Sequence, residues 1–144
     1  MIETIAVGTD GSGTATKAVE YALELAEKFG SRVVFISSYM PVSETRIKRE
    51  QRDAPADIQW AINPAEDVEA ALRQVEEMAD ARGLKWTSEA RQGDPADVLV
   101  ELAEAHNADL LVIGNKGMQR RVLGSVPNSV THKANCSVLV VKTT

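Results

Sequence analysis

The chain has 144 residues, of which 44% are hydrophobic and 26% are charged, and its formal net charge is −5. This length predicts a single domain over residues 1–144 with a substantial core. The acidic balance argues against nucleic acid as the main partner, because binding a phosphate backbone requires a basic face. The single cysteine, Cys136, excludes an internal disulfide and fits a reducing cytoplasm. No apolar run approaches the length of a membrane span and the first residues lack a signal-peptide pattern, so we expect a cytoplasmic protein without a membrane partner.

Short apolar runs alternate with helical patterns along the chain. The predicted strands are Ile5–Val7, Arg32–Tyr39, Leu84–Arg91, Ala108–Ile113 and Ser137–Lys142. The predicted helices are Ala15–Phe29, Pro64–Ala81, one that begins at Pro95 with Asp94 as its cap, and Ser125–Ala134. Continuous apolar strands that alternate with helices predict an α/β fold, a doubly wound five-stranded parallel sheet with helices on both faces.

One long connection interrupts this alternation. Residues 40–63 contain two prolines, many charges and no sustained apolar period, and a short helix is predicted over residues 43–51. Connections of this length often serve as lids or binding loops.

The first strand runs into a glycine-rich loop, Gly8-Thr9-Asp10-Gly11-Ser12-Gly13. The loop is not a P-loop, because Thr14 and Ala15 stand where lysine and serine or threonine are required. It also lacks the third glycine of the dinucleotide fingerprint. The sequence allows two interpretations of Asp10. Either its carboxylate accepts hydrogen bonds from a base or ribose, or it caps the turn before the helix.

The fourth strand runs into a second glycine-rich loop that ends in a serine. Its glycines are Gly114, Gly117 and Gly124, and Ser125 follows at the predicted start of a helix. Glycine allows close backbone approach to a ligand, and the N–H groups of a helix N-terminus face an anion, so the pattern predicts a phosphate site. The alternative is ordinary turn chemistry with a capping serine. Arg120 and Arg121 either add positive charge near a phosphate or are solvated surface residues.

These segments together resemble the universal stress protein family. The resemblance rests on the first strand with Thr9-Asp10-Gly11-Ser12, the turn Gly93-Asp94-Pro95-Ala96-Asp97-Val98-Leu99, the strand Ala108–Gly114, and Gly124-Ser125-Val126-Pro127-Asn128-Ser129-Val130. It covers essentially the whole chain. It implies a sheet of the adenine-nucleotide alpha-hydrolase type with strand order 3-2-1-4-5, and a homodimer joined through the last strands.

In the ATP-binding branch of that family, the glycine motif reads Gly-x2-Gly-x9-Gly-Ser/Thr. The resemblance places Gly114, Gly117, Gly124 and Ser125 at its fixed positions. Val126 and Pro127 follow where main-chain amides contact phosphate in that branch. Asp10, with Gly8 and Thr9, corresponds to the acidic position that meets the nucleoside. The end of the second strand, near Ser37 and Ser38, corresponds to the adenine side.

The motif departs from the family in one respect. Six residues rather than nine separate Gly117 from Gly124, which favours adenosine or a monophosphate over tight binding of a triphosphate. The resulting hypothesis is a dimeric stress sensor or regulator that binds ATP, AMP or cyclic AMP, with Mg²⁺ only alongside ATP. The alternative is a dimeric protein-interaction module that binds no nucleotide. The sequence offers no assigned general base, so any enzymatic activity is expected to be at most a weak ATPase.

Overall fold

The computed structural model describes residues 1–10, 13–39, 65–115 and 125–143. These residues form β1 (Thr4–Gly8), α1 (Gly13–Phe29), β2 (Arg32–Tyr39), α2 (Ala65–Ala81), β3 (Trp86–Gln92), α3 (Pro95–Ala105), β4 (Leu110–Gly114), α4 (Ser125–Lys133) and β5 (Ser137–Val141). The strands pair in parallel in the order β3-β2-β1-β4-β5. The predicted fold class and strand order are therefore confirmed. The short helix predicted over residues 43–51 lies outside the described residues.

The sheet is covered on both faces, as its continuous apolar strands predicted. On β1, Ile5 and Val7 belong to a core cluster that α1 and α2 cover, whereas Ala6 belongs to a second cluster under α3 and α4. All three side chains have zero exposure because β1 lies in the middle of the sheet. Successive strand residues point to opposite faces, so a strand that is buried on both sides must be apolar at every position.

In helix α1, the spacing of the apolar residues along the sequence predicted which side of the helix is buried. Its fully buried residues recur at intervals of one, three or four, which places them on a single stripe: Ala18, Val19, Ala22, Leu23 and Ala26. The helix ends before Gly30, whose φ of +67° is a left-handed conformation that glycine adopts without steric cost. Among the described helices, none is both long and apolar enough to cross a membrane.

The amino ends of β1 and β4 are joined by one carboxylate. Asp109 Oδ2 accepts hydrogen bonds from the main-chain N–H groups of Glu3, at 2.9 Å, and Thr4, at 3.1 Å. The Asp109 N–H in turn donates to the Thr4 carbonyl at 2.9 Å. These bonds fix the register with which the two strands enter the sheet.

Helix α3 begins as its sequence predicted. Asp94 lies in an extended conformation, its side chain accepts a hydrogen bond from the Asp97 N–H at 3.2 Å, and Pro95 occupies the first helical turn. The helix then buries Val98, Leu99, Leu102 and Ala103 against the second cluster. The cap therefore determines where a helix of the core begins.

We expect Asp94→Ala to lower the free energy of unfolding by about 1 kcal/mol, because an orphan N–H of the first turn loses its acceptor. The measurement is urea unfolding followed by circular dichroism. Asp94→Asn is the matched control, since the amide oxygen still caps the helix while the charge is removed. Equal losses in the two variants would contradict a capping role.

Candidate functional site

The connections that leave β1 and β4 diverge at the carboxyl edge of the sheet. The two strands are neighbours, with Val7 opposite Val112. Helix α1, which follows β1, packs on the face of the first cluster, whereas α4, which follows β4, packs on the face of the second. Open parallel sheets bind their ligands in the crevice formed at such a point. The predicted loops therefore begin side by side at this edge.

The end of β1 brings three predicted site residues to this crevice. The Thr9 side chain is buried, and its N–H donates to the Ile36 carbonyl of β2 at 3.0 Å. Asp10 follows at the rim and is half-buried. Gly8 has a packing role that the sequence did not indicate: an added Cβ would lie 2.7 Å from Leu99 Cδ2 on α3. Glycine at this position thus lets α3 approach the end of β1 closely.

The end of β2 contributes two buried serines. Ser37 and Ser38 are 2% and 3% exposed, and alternation along the strand directs them to opposite faces of the sheet. Ser38 lies opposite Arg91 of β3. The Ser37 hydroxyl has no hydrogen-bond partner within the described part of the chain. A buried hydroxyl without a hydrogen-bond partner is costly.

At the end of β4, Gly114 lies opposite Val141 of β5. Asn115, which follows it, is 1% exposed, and its Oδ1 accepts hydrogen bonds from the N–H and the hydroxyl of Thr143, at 2.8 and 2.9 Å. Sequence reasoning missed both residues. For Asn115, the sequence contained a signal: a polar residue directly follows an apolar strand and lies between the first two glycines of the motif.

The N-terminus of α4 points towards the same edge of the sheet. Only three residues separate the end of α4 from β5, which begins opposite Leu110 at the amino end of β4. The C-terminus of α4 therefore lies towards the amino edge of the sheet. A nine-residue helix is about 13 Å long, so the start of α4 lies towards the carboxyl edge.

The first turn of α4 suits an anion. It contains no acidic residue, Ser125 is exposed and Val126 is half-buried. The N–H groups of a first turn have no partner inside the helix and carry a partial positive charge. Pro127, the third residue of α4, is buried and, as a proline, has no N–H. It offers no main-chain amide to a phosphate.

An ion pair connects the other end of α4 to α3. Lys133 Nζ lies 2.9 Å from Asp97 Oδ1, and this hydrogen bond raises the pKa of Lys133 above its ordinary value. Both side chains are about half exposed, so the pair adds little to stability. Because the folded-state pKa is raised, that small contribution is present at neutral pH and is lost only as the pH rises through the pKa of the lysine.

The remaining predicted residues, Gly117, Arg120, Arg121 and Gly124, lie outside the described residues. Gly8, Thr9, Asp10, Ser38 and Gly114 lie at the carboxyl edge of the sheet, and Ser125 begins the helix directed towards it. Within the described ranges, no group of three or more histidine, cysteine, aspartate or glutamate side chains is arranged to hold a metal ion.

The chain is similar to known proteins over nearly its whole length. A sequence model of the universal stress protein family matches residues 1–142. A universal stress protein of Mycobacterium tuberculosis is 35% identical over 99% of this chain and 97% of its own length. A second, from Methanocaldococcus jannaschii, is 34% identical over 96% of this chain and 81% of its own length. A solved structure of a universal stress protein in complex with cAMP is 33% identical, with a TM-score of 0.75, and the alignment covers 99% of this chain and 98% of that one.

We expect Gly8→Ala to lower the free energy of unfolding by about 1–3 kcal/mol, because the new methyl group overpacks against Leu99. The measurement is chemical unfolding of Gly8→Ala, of Leu99→Val and of the double variant. Valine at position 99 is smaller than leucine and leaves space for the new methyl group. The double variant should therefore lose less free energy of unfolding than the sum of the losses in Gly8→Ala and Leu99→Val alone. Strict additivity of the two losses would contradict the packing role.

Proposed function

The chain belongs to the universal stress protein family, and on that basis we propose that it binds an adenine nucleotide at the carboxyl ends of β1 and β4. One observation carries the proposal: Asp10 follows β1 at the point where the connections diverge, and a helix start without acidic residues is directed to the same edge. The similar protein solved with cAMP supports an adenine nucleotide as the ligand.

The nucleoside is assigned to the β1 and β2 side of the crevice. The Asp10 carboxylate accepts hydrogen bonds from the ribose hydroxyls, and the backbone of Gly8 and Thr9 shapes the adjoining wall. Ser38 lies on the adenine side. Ribose hydroxyls bonded to a carboxylate form charge-assisted hydrogen bonds, which are stronger than neutral ones.

The phosphate is assigned to the start of α4 and the glycine-rich loop. The Ser125 hydroxyl and the main-chain N–H groups of Ser125 and Val126 donate to it, aided by the partial charge of the helix end. Gly114, Gly117 and Gly124 allow the backbone to approach the ligand, and Arg120 and Arg121 supply positive charge. Pro127 contributes only its fixed φ, which suits an early helical position.

The shortened spacing between Gly117 and Gly124 favours a single phosphate. A loop with six intervening residues, rather than nine, has fewer amides with which to surround the terminal phosphates of ATP. AMP and cyclic AMP are therefore the preferred candidates. If ATP binds, Mg²⁺ enters with its phosphates, since that cation is commonly held by substrate phosphates and only one or two carboxylates.

The proposal includes a single-domain, dimeric, cytoplasmic protein that acts as a stress sensor or regulator. β5 is an edge strand of the sheet, and Val138, Leu139 and Val140 on it are partly exposed. An apolar edge strand has unpaired backbone groups that can pair with another strand. We assign β5 of a second copy of the chain to this edge. In the competing hypothesis, the protein is an interaction module that binds no nucleotide, and the same edge of the sheet forms its dimer.

Calorimetric titration with adenosine, AMP, cyclic AMP and ATP tests the nucleotide proposal. We expect AMP or cyclic AMP to bind more tightly than ATP, because the shorter loop surrounds fewer phosphates. Absence of heat with all four ligands at millimolar concentration would overturn the proposal and favour the interaction module.

Two single substitutions separate the phosphate and nucleoside ends of the proposed site. Ser125→Ala should weaken AMP binding about tenfold and leave adenosine binding unchanged, since only AMP has a phosphate to accept the hydroxyl's bond. Asp10→Ala should weaken AMP and adenosine binding by the same factor, about tenfold or more. Both are measured by the same titration.

Ser129→Ala is the matched control, because Ser129 lies on the same helix one turn further from its start. It should bind both ligands as the wild type does. Equal effects of Ser125→Ala and Ser129→Ala on AMP binding would contradict the assignment of phosphate to the start of α4.

A further inference from the structure

Helix α1 carries apolar side chains that its own sheet leaves uncovered. Tyr21 is 54% exposed, and Leu25, one turn further along the helix, is half-buried against the first core cluster. Residues four apart lie on the same side of a helix, so these two side chains are neighbours. Contiguous exposed apolar side chains mark an interaction surface, whereas single ones are ordinary.

This side of α1 faces the β5 edge of the sheet. Helix α1 packs on β1 and β4, and α2 packs beside it on β2 and β3. Glu27 of α1 forms an ion pair with Arg82, which follows α2, so the Glu27 side of α1 faces α2. Leu25 precedes Glu27 by two residues, which is about 200° around the helix. Leu25 and Tyr21 therefore face away from α2 and towards β5.

Leu139 of β5 adds to this apolar surface. It packs against the first cluster, is half-buried and lies opposite Val112 of β4. On the other face of the sheet, α4 packs on β5, and Val138 and Val140 join the second cluster there. Tyr21, Leu25 and Leu139 thus line the β5 edge on the face of α1, and together they form the α1–β5 surface.

Tyr21 lies at about the height of Leu139 along the strands. Only two residues separate α1 from β2, so α1 ends near the amino edge of the sheet. Tyr21 is eight residues before that end, which is about 12 Å along the helix. Leu139 is in register with Val7 through Val112. Val7 is three residues beyond Thr4, which is about 10 Å from the same edge.

The two edges of the sheet differ in how well they suit a second copy of the chain. β3 presents the charged or polar residues Glu89, Arg91 and Gln92, which hinder pairing with another strand. β5 is apolar at four of its five positions. A five-residue strand is only about 17 Å long, whereas a stable interface buries about 1,200–2,000 Å² in total. Pairing of β5 therefore needs further surface beside it, and the α1–β5 surface lies there.

We propose that the α1–β5 surface forms the second part of an interface between two copies of this chain, whose β5 strands pair antiparallel about Leu139. The inference rests on the dimer of the proposed function, but not on which ligand binds. A two-fold axis perpendicular to the sheet keeps α1 of both copies on the same face. Centring the axis on Leu139, the middle residue of β5, pairs all five residues of the strand.

This arrangement explains a large side chain at position 21. With strands about 4.8 Å apart, the α1 axes of the two copies lie about 19 Å apart over the paired strands. Helices in direct contact lie about 8–10 Å apart, so the gap between the two α1 helices is filled by side chains. Tyr21 is level with the two-fold axis, extends into this gap from each copy and covers the paired Leu139 side chains.

Sedimentation equilibrium of the full-length protein tests the role of α1. We expect Tyr21→Ala to raise the dimer dissociation constant about tenfold or more, because a central aromatic contact is lost. Phe29→Ala is the matched control, since Phe29 is an aromatic residue of the same helix with the same 54% exposure. It lies at the end of α1, about 12 Å from Tyr21, and should dimerise as the wild type does.

Cysteine cross-linking tests the pairing of the β5 strands, in a Cys136→Ser background that removes the natural thiol. Leu139→Cys should form a disulfide between copies under mild oxidation, because directly opposite residues have Cα atoms about 4.5–5.5 Å apart. Ser137→Cys is the control. Ser137 pairs with Val141, so the two new thiols lie about 13 Å apart along the strands and should not join.

Each of three results would overturn the inference. Equal dissociation constants for Tyr21→Ala and Phe29→Ala would remove α1 from the interface, and faster cross-linking of Ser137→Cys than of Leu139→Cys would exclude pairing about Leu139. A wild type that stays monomeric at submillimolar concentration would overturn the interface and the proposed dimer together. The nucleotide titrations are separate measurements, so failure to bind an adenine nucleotide would contradict the proposed ligand and leave the interface standing.

Discussion

The parallel pairing of β1 with β4 is the interaction on which the rest of the structure depends. It joins the half of the sheet formed by β1, β2 and β3 to the half formed by β4 and β5. Asp109 fixes the register at the amino ends of the two strands, and at their carboxyl ends the connections turn to opposite faces. A crevice forms there because no helix crosses over the junction between diverging connections. The candidate site is thus a consequence of strand order before any side chain contributes to it.

Most of the proposed recognition is carried by the backbone. The glycines, the helix start and the amides of Ser125 and Val126 are main-chain features, and Asp10 and Ser125 are the principal side chains assigned to the ligand. A helix end interacts with one charge by about 0.3–1 kcal/mol at an exposed site, so it does not account for micromolar binding alone. Several amides must converge on the phosphate, which makes the direction of the loop decisive.

The edge strand β5 contributes to two features of the molecule. Its outer edge is the surface proposed to pair with a second copy, and the residue that follows it, Thr143, orients Asn115 at the start of the glycine-rich loop.

Features that depend on neighbours along the chain were predictable from the sequence. The Asp94–Pro95 helix start, the buried stripe of α1, the four apolar strands and the partly exposed β3 follow from local patterns, and the family resemblance supplied the strand order. The packing of Gly8 against Leu99 and the bonds between Asn115 and Thr143 join residues far apart in the chain. Local propensity holds no information about such pairs, because they exist only once the sheet has set its register and α3 has packed on it. Local patterns in the sequence therefore specify which elements form and which loops are rich in glycine. The packing of Gly8 against Leu99 and the bonding of Asn115 to the end of β5 arise only on folding, because each brings together residues that are distant along the chain.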